Sequence, residues 1–237
     1  MSSLPPYWLL MPAAGTGSRF GGAIPKQHLP LAASTVLEHS LRPFLADPHC
    51  RGVVLAMAAG DERRSALRSN LPPMVRFVDG GAERVDSVLA ALDALQGLAG
   101  DEDWVLVHDA VRPCLAASDL KRLLQVGQSS ADGALLAAPV ADTLKRAGSD
   151  GSVAATLPRA GLWRALTPQM FHIGALRGAL RSARDGGRVP TDEAEAMEWQ
   201  GARPLLVAAG HSNIKITTVD DLPLAAAILI SRVGEAP

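Results

Sequence analysis

Tyr7-Trp8-Leu9-Leu10-Met11 runs straight into Pro12-Ala13-Ala14-Gly15-Thr16-Gly17-Ser18-Arg19, and Pro25-Lys26-Gln27 follows after a short gap. The first five residues are continuously apolar, as in a strand buried on both faces of a sheet. The strand empties into a loop of very small residues. Such a loop lets a backbone approach a ligand closely, and its free N–H groups can cradle phosphate. Arg19 and Lys26 add two fixed positive charges just beyond it. The run points to an α/β sheet with nucleotide chemistry at the end of its first strand; a Gly-rich surface turn with two solvated cations is the plainer alternative.

The two common phosphate motifs both fail here. A dinucleotide fingerprint counted from Gly15 needs glycine where Phe20 stands. A P-loop counted from Gly17 reaches Gly22, but Ala23-Ile24 replaces its Lys-Ser/Thr pair.

Outward from this loop, strand-like and helix-like segments alternate. Thr35-Val36-Leu37-Glu38 is a capping-box pattern, and Leu37, Leu41, Phe44 and Leu45 share one helical face. Strands are predicted at 52–58, 75–78, 104–108, 134–139 and near 205–207. Helices are predicted over 61–69, after Gly80-Gly81, over 118–126 and 174–184, after Thr191 and after Asp220. This rhythm predicts a Rossmann-like, mainly parallel sheet flanked by helices, read as one domain over 1–237. It breaks at 139–166, where two short β-prone runs flank Gly148-Ser149-Asp150-Gly151. That is a hairpin signature. An isolated hairpin is marginal in water, so this one is expected to lean on another surface such as a second subunit. Asn213–Thr218 is strand-like, with Lys215 opposite two isoleucines.

Composition narrows the field. The chain has 237 residues, 48% of them hydrophobic, and a net charge of −1, with no basic stripe, so nothing favours a nucleic-acid partner. No apolar stretch approaches a membrane span, and the first apolar run is too short for a signal peptide. The two cysteines, Cys50 and Cys114, fit no metal spacing and suit a reduced, cytoplasmic setting. There is no GxSxG elbow and no HExxH. The four tryptophans are scattered and read as core.

Two further loops leave apolar strands and should share the first loop's rim. In Asp79-Gly80-Gly81-Ala82-Glu83-Arg84-Val85-Asp86-Ser87, Ser87 falls on the first helical turn and is either a base or ribose contact or an ordinary helix-start serine. In Val107-His108-Asp109-Ala110-Val111-Arg112-Pro113, Asp109 suits a metal or a ribose hydroxyl, and Arg112 a phosphate; a surface ion pair is the plainer reading. His108 reads as packing or capping. Asp142, Thr143, Lys145, Arg159, Thr167, Gln169, Thr191, Asp192 and Lys215 form a downstream polar set, each weak alone.

Together, PAAGTGSRF…PKQ, VDGGAERVDSV, VLVHDAVRP, APVADTLKR, LWRALTPQ, TDEAEAME and NIKITT, in this order, resemble the 2-C-methyl-D-erythritol 4-phosphate cytidylyltransferase family from about Leu10 to Ala226. The resemblance implies attack of the acceptor phosphate on the α-phosphorus of CTP, with Mg²⁺ held mainly by the CTP phosphates. It implies Arg19, Lys26, Arg159 and Lys215 as catalytic cations. It implies Pro12, Ala13, Ala14, Gly15, Thr16, Gly17, Gly80, Gly81, Ser87, Asp109 and Ala110 on the nucleotide. Asp109, Arg112, Thr143, Arg159, Thr167, Thr191 and Lys215 fall on the acceptor side, and Asp109 is also implied as a metal ligand. The hairpin arm, 139–165, is implied to reach into the partner's site of a homodimer. Ala82 and Val111 depart from the family's pattern without removing a required cation. A relative using a pentitol phosphate such as ribitol 5-phosphate, or a nucleotide-binding regulatory module without catalysis, would share much of this pattern.

Overall fold

Apolar residues on both faces of nearly every strand require two helical layers, and the chain builds them. The structure is a computed structural model that describes residues 3–15 and 24–232. In chain order its elements are β1 (Tyr7–Ala13), a 3-10 turn (Lys26–His28), β2 (Pro30–Leu31), β3 (Ser34–Thr35), α1 (Val36–Leu45), β4 (Cys50–Met57), α2 (Arg63–Asn70), β5 (Val75–Asp79) and α3 (Arg84–Asp93). There follow β6 (Trp104–Val107), α4 (Ala117–Gly127), β7 (Ala134–Pro139), β8 (Leu144–Ala147), β9 (Val153–Leu157), β10 (Trp163–His172), α5 (Ile173–Asp185), α6 (Glu193–Glu198), β11 (Leu205–Ala208) and α7 (Asp221–Ser231).

The central sheet has the order β11-β7-β10-β6-β1-β4-β5. All its pairings are parallel except the two made by β10. Alternate residues of β1 serve opposite cores. Tyr7, Leu9 and Met11 join α1, α2 and α4, while Trp8 and Leu10 join α3, α5 and α6. At roughly 25 cal/mol per Å² of apolar surface, each such fully buried side chain contributes about 1.5–3 kcal/mol. A third, smaller cluster, with Leu31, Val36, Cys114, Ile216 and Ala225, seats α7 beside the β2–β3 ribbon.

The predicted cap at α1 is present: Thr35 Oγ1 accepts from Glu38 N at 3.3 Å, and the Glu38 carboxylate accepts from Thr35 N at 2.9 Å. The predicted hairpin is also present, as β8 and β9 paired in a two-stranded sheet of their own. Most of its residues are exposed, Val153 at 65%.

One strand was not foreseen, and two expectations are corrected. The segment around 163–172 is a long antiparallel strand, β10, wedged between β6 and β7. Pro168 argues against a central strand, because proline cannot donate to a ladder. The structure accommodates it where the register against β7 shifts, between Ala165 and Gln169. Asn213–Thr218 is irregular rather than a strand, though Ile216 is fully buried. Trp163 is not core: it stands 38% exposed at the base of the hairpin arm.

Cys50 and Cys114 are buried and unpaired. Burial pushes both thiols up to about 11. Among the described residues no helix is long and apolar enough to cross a membrane.

Candidate active site

The carboxyl ends of β1, β5 and β6 open on one side of the sheet, and their loops converge there. They line a cleft of about 780 Å³, within the usual range for a small-molecule site. One wall is backbone and small side chains from Pro12, Ala13, Ala14, Gly15, Gly81 and Ala82. Lys26, Glu83, Arg84, Asp109 and Lys215 supply the charge.

Close approach explains the glycines. A Cβ at Gly80 would lie 2.5 Å from the Cβ of Ala14 and 2.8 Å from Ser87 Oγ, so the first two loops touch only because position 80 has no side chain. A Cβ at Gly81 would meet Asp86 Cβ at 2.2 Å. Ser87 is 2% exposed, and its hydroxyl accepts from Gly81 N at 3.2 Å. Gln27 clips the first loop from below: its Nε2 donates to Ala13 O at 2.8 Å and to Gly15 O at 3.0 Å. Lys26 Nζ donates to Ile216 O at 3.3 Å, which links that loop to the segment carrying Lys215.

Asp109 is the centre of charge. Its Oδ1 lies 3.3 Å from Arg84 Nη2, and its Oδ2 lies 3.0 Å from Lys215 Nζ and 3.2 Å from Arg112 Nε. Burial alone would push the Asp109 pKa up, but these three cations outweigh it and hold the carboxyl well below the usual carboxylate range. Arg84 is in turn held by Glu193, at 2.5 Å and 3.0 Å to the two carboxylate oxygens. Burial would lower the Arg84 pKa, and the Glu193 and Asp109 charges reverse that and raise it. Arg112 is 8% exposed; burial lowers its pKa although Asp109 opposes this, and its Nη1 donates to Asn213 O at 3.0 Å.

His108 and Thr167 fix the backbone beneath. Thr167 Oγ1 accepts from Asp109 N at 3.1 Å and lies 3.0 Å from His108 Nδ1, to which it donates because the ring's other nitrogen faces a carbonyl. His108 Nε2 then carries the ring proton toward Arg112 O at 3.2 Å. Burial lowers the His108 pKa to about 4, so the ring is neutral and structural.

A smaller cleft of about 270 Å³ adjoins the first through Lys215; Arg112, Arg164, His211 and Asn213 also line it. Of the residues expected on the acceptor side, Asp109, Arg112 and Lys215 are thus brought together, with Thr167 beneath them. Thr143, Arg159 and Thr191 are exposed and line neither cleft of their own chain. Arg159 Nη1 donates to Ala141 O across the base of the arm, and Thr191 N donates to Glu195 Oε2 at 2.6 Å. Thr16, Gly17 and Arg19 lie outside the described residues.

Sequence reasoning assigned nothing to Gln27, Arg84, Glu193 or Asn213. Arg84 and Glu193 were visible only as helix-start residues. Their pairing spans 109 positions of chain, beyond any periodicity signal. Among the described residues no group of three or more His, Cys, Asp or Glu side chains is gathered as for a protein-built metal cage.

Residues 7–231 match the family profile described as 2-C-methyl-D-erythritol 4-phosphate cytidylyltransferase. A protein of that name from Acidithiobacillus ferrooxidans is 51% identical over 234 residues, which is 96% of this chain and 98% of the relative. Another from Pseudomonas putida is 50% identical over 224 residues, 94% of this chain and 95% of the relative. A crystal structure of 4-diphosphocytidyl-2C-methyl-D-erythritol synthase superposes with a TM-score of 0.84 at 37% identity, covering 95% of this chain and 99% of that one. Sequence and fold agree over nearly the whole length, and the chain belongs to the 2-C-methyl-D-erythritol 4-phosphate cytidylyltransferase family.

Proposed function

We propose that the protein transfers CMP from CTP to 2-C-methyl-D-erythritol 4-phosphate, giving 4-diphosphocytidyl-2-C-methyl-D-erythritol and pyrophosphate in non-mevalonate isoprenoid biosynthesis. The observation that carries this, beside family membership, is the surplus of positive charge at the meeting of the two clefts. Lys26, Arg84, Arg112, Arg164 and Lys215 line the two clefts against Glu83 and Asp109, with Glu193 buried behind Arg84. Two anionic reactants need that surplus.

One oxygen of the acceptor phosphate forms a bond to the α-phosphorus. The bond from that phosphorus to the α,β-bridging oxygen breaks, and its electron pair leaves with pyrophosphate. The nucleophile is already an anion, so no general base is required, which agrees with a buried, neutral His108. Catalysis is then positioning and charge stabilisation. Pro12 to Gly15 and Ala110 give the nucleotide a close backbone wall, with Gly80, Gly81 and Ser87 at the base, and the sequence pattern assigns Thr16 and Gly17 to the nucleotide as well. Arg19 and Lys26 stabilise charge on the α-phosphate. Lys215 leaves Asp109 for the incoming acceptor phosphate; Arg112, Thr167 and Thr191 serve the acceptor.

The chain works as one nucleotidyltransferase domain, expected in the cytoplasm. Its arm, 139–165, carries Thr143 and Arg159 to a second copy of the chain. The exposure of both residues, and of Val153 and Trp163, supports this. Both Asp109 oxygens are paired with Arg84, Arg112 and Lys215, so a divalent cation would find this one carboxylate only once Lys215 has left it, which suits Mg²⁺ bound chiefly through substrate phosphates. Bound there, Mg²⁺ would neutralise triphosphate charge and polarise the reacting phosphorus.

Pyrophosphate release, measured with CTP and either methylerythritol phosphate or ribitol 5-phosphate, tests the reading. Activity with methylerythritol phosphate is expected. Activity with the pentitol phosphate alone, or with neither, overturns it.

A further inference from the structure

Glu193 is a carboxylate only 1% exposed, on the first residue of α6. Burying a charge this deeply is costly even when paired, and such pairs often add little net stability. This one has a specific geometric product. Its two oxygens hold the Arg84 guanidinium at 2.5 Å and 3.0 Å, and the same Nη2 reaches Asp109 Oδ1 at 3.3 Å.

We propose that Arg84, clamped by Glu193, is a positioning residue that fixes the orientation of the Asp109 carboxylate and so sets where Lys215 and Arg112 meet the acceptor. The guanidinium is a planar fork, able to serve two carboxylates at fixed angles, whereas a lysine ammonium is a point charge. With Oδ1 tied to Arg84, Oδ2 is the oxygen turned to Lys215 and Arg112. Glu193 is itself rigidly placed. Gln169 on β10 donates to Asp192 Oδ2 at 2.9 Å and accepts from Ala194 N at 2.8 Å, which pins the residues on either side of it. The clamp therefore ties the start of α3, the loop after β6 and the start of α6 together beside the two clefts.

The inference rests on the reaction proposed above, and Glu193→Gln, Arg84→Lys and the double variant Arg84→Met/Glu193→Gln test it. Initial rates are measured while varying each substrate in turn, with thermal unfolding to confirm folding. Glu193→Gln is nearly isosteric, and the double variant leaves no buried charge unpaired, so between them a folded protein is available. The expected result is a rise of about 10- to 100-fold in KM for methylerythritol phosphate, with a smaller change in KM for CTP. Arg84→Lys should not rescue, and the double variant should be no worse than the worse single change. Folded variants with both KM values unchanged would overturn the proposal, even if kcat falls, and so would full recovery by Arg84→Lys. Failure of the unaltered protein to use methylerythritol phosphate would instead overturn the reaction itself.

Discussion

Lys215 Nζ lies 3.0 Å from Asp109 Oδ2. The lysine comes from the irregular segment before α7, and the carboxylate from the loop after β6. Lys215 keeps 43% of its side chain exposed, while Asp109 keeps 9%. A half-exposed cation is thus docked on a buried anion that has two other cations. Lys215→Met should leave the fold intact, because Arg84 and Arg112 still compensate Asp109. It should lower kcat by about 10²–10³-fold, the scale for loss of one charge-stabilising group. Steady-state kinetics check this, and a near-normal kcat would remove Lys215 from the chemistry.

Lys26 stands across the larger cleft, bonded to the backbone of Ile216. Its proposed role is exerted on charge that develops during attack, so Lys26→Ala should act mainly on kcat, with little change in KM for CTP. An unchanged rate in that variant would contradict the role.

Gly80 meets Ala14 too closely for any side chain. Gly80→Ala should force the first two loops apart, at about 1–3 kcal/mol, the usual cost of overpacking. Melting temperature should fall and KM for CTP should rise. Wild-type values for both would show that the loops are free to separate.

The β8–β9 ribbon hydrogen-bonds within itself and not to the central sheet. Deleting residues 145–155 should therefore spare the core while weakening dimerisation and acceptor use together. Sedimentation and kinetics on the same preparation test the pairing of these effects. A fully active monomer would exclude a site shared between subunits.

His108 supplies a pH dependence of stability. Its pKa in the folded protein is about 4, against an ordinary 6.5. Below pH 6.5 the unfolded chain takes up a proton that the folded chain refuses. The stabilising contribution of the neutral ring is complete above pH 6.5 and is lost as pH falls toward 4, by up to about 3 kcal/mol. His28 and His39 are shifted in the same direction, chiefly by burial. The informative measurement is therefore a comparison: between pH 7 and 4.5, denaturant unfolding of the unaltered protein should lose stability more steeply than His108→Gln. Parallel curves would show that the ring titrates normally.

Local pattern was enough for much of the fold. Continuous apolar runs at β1, β4 and β7 announced strands buried on both faces, and the Thr35 and Glu38 pair announced the start of α1. The small-residue loop after Met11 announced a wall for close backbone approach. Order in the chain added that three strand-end loops share one rim. No local signal marked β10, whose ladder tolerates an irregularity at Pro168, and the alternation around Lys215 suggested a strand where Asn213, Lys215 and Ile216 are instead held by separate tertiary contacts. The charge network was beyond sequence in principle. Periodicities of 2 and 3.6 residues say which face of an element is apolar, but not which elements lie side by side. By itself the sequence determined an α/β sheet with small and cationic residues at its strand ends. Only the tertiary structure decided that Arg84 and Glu193, 109 positions apart, clamp Asp109, because an ion pair depends on distance in space, and the sheet order sets that distance.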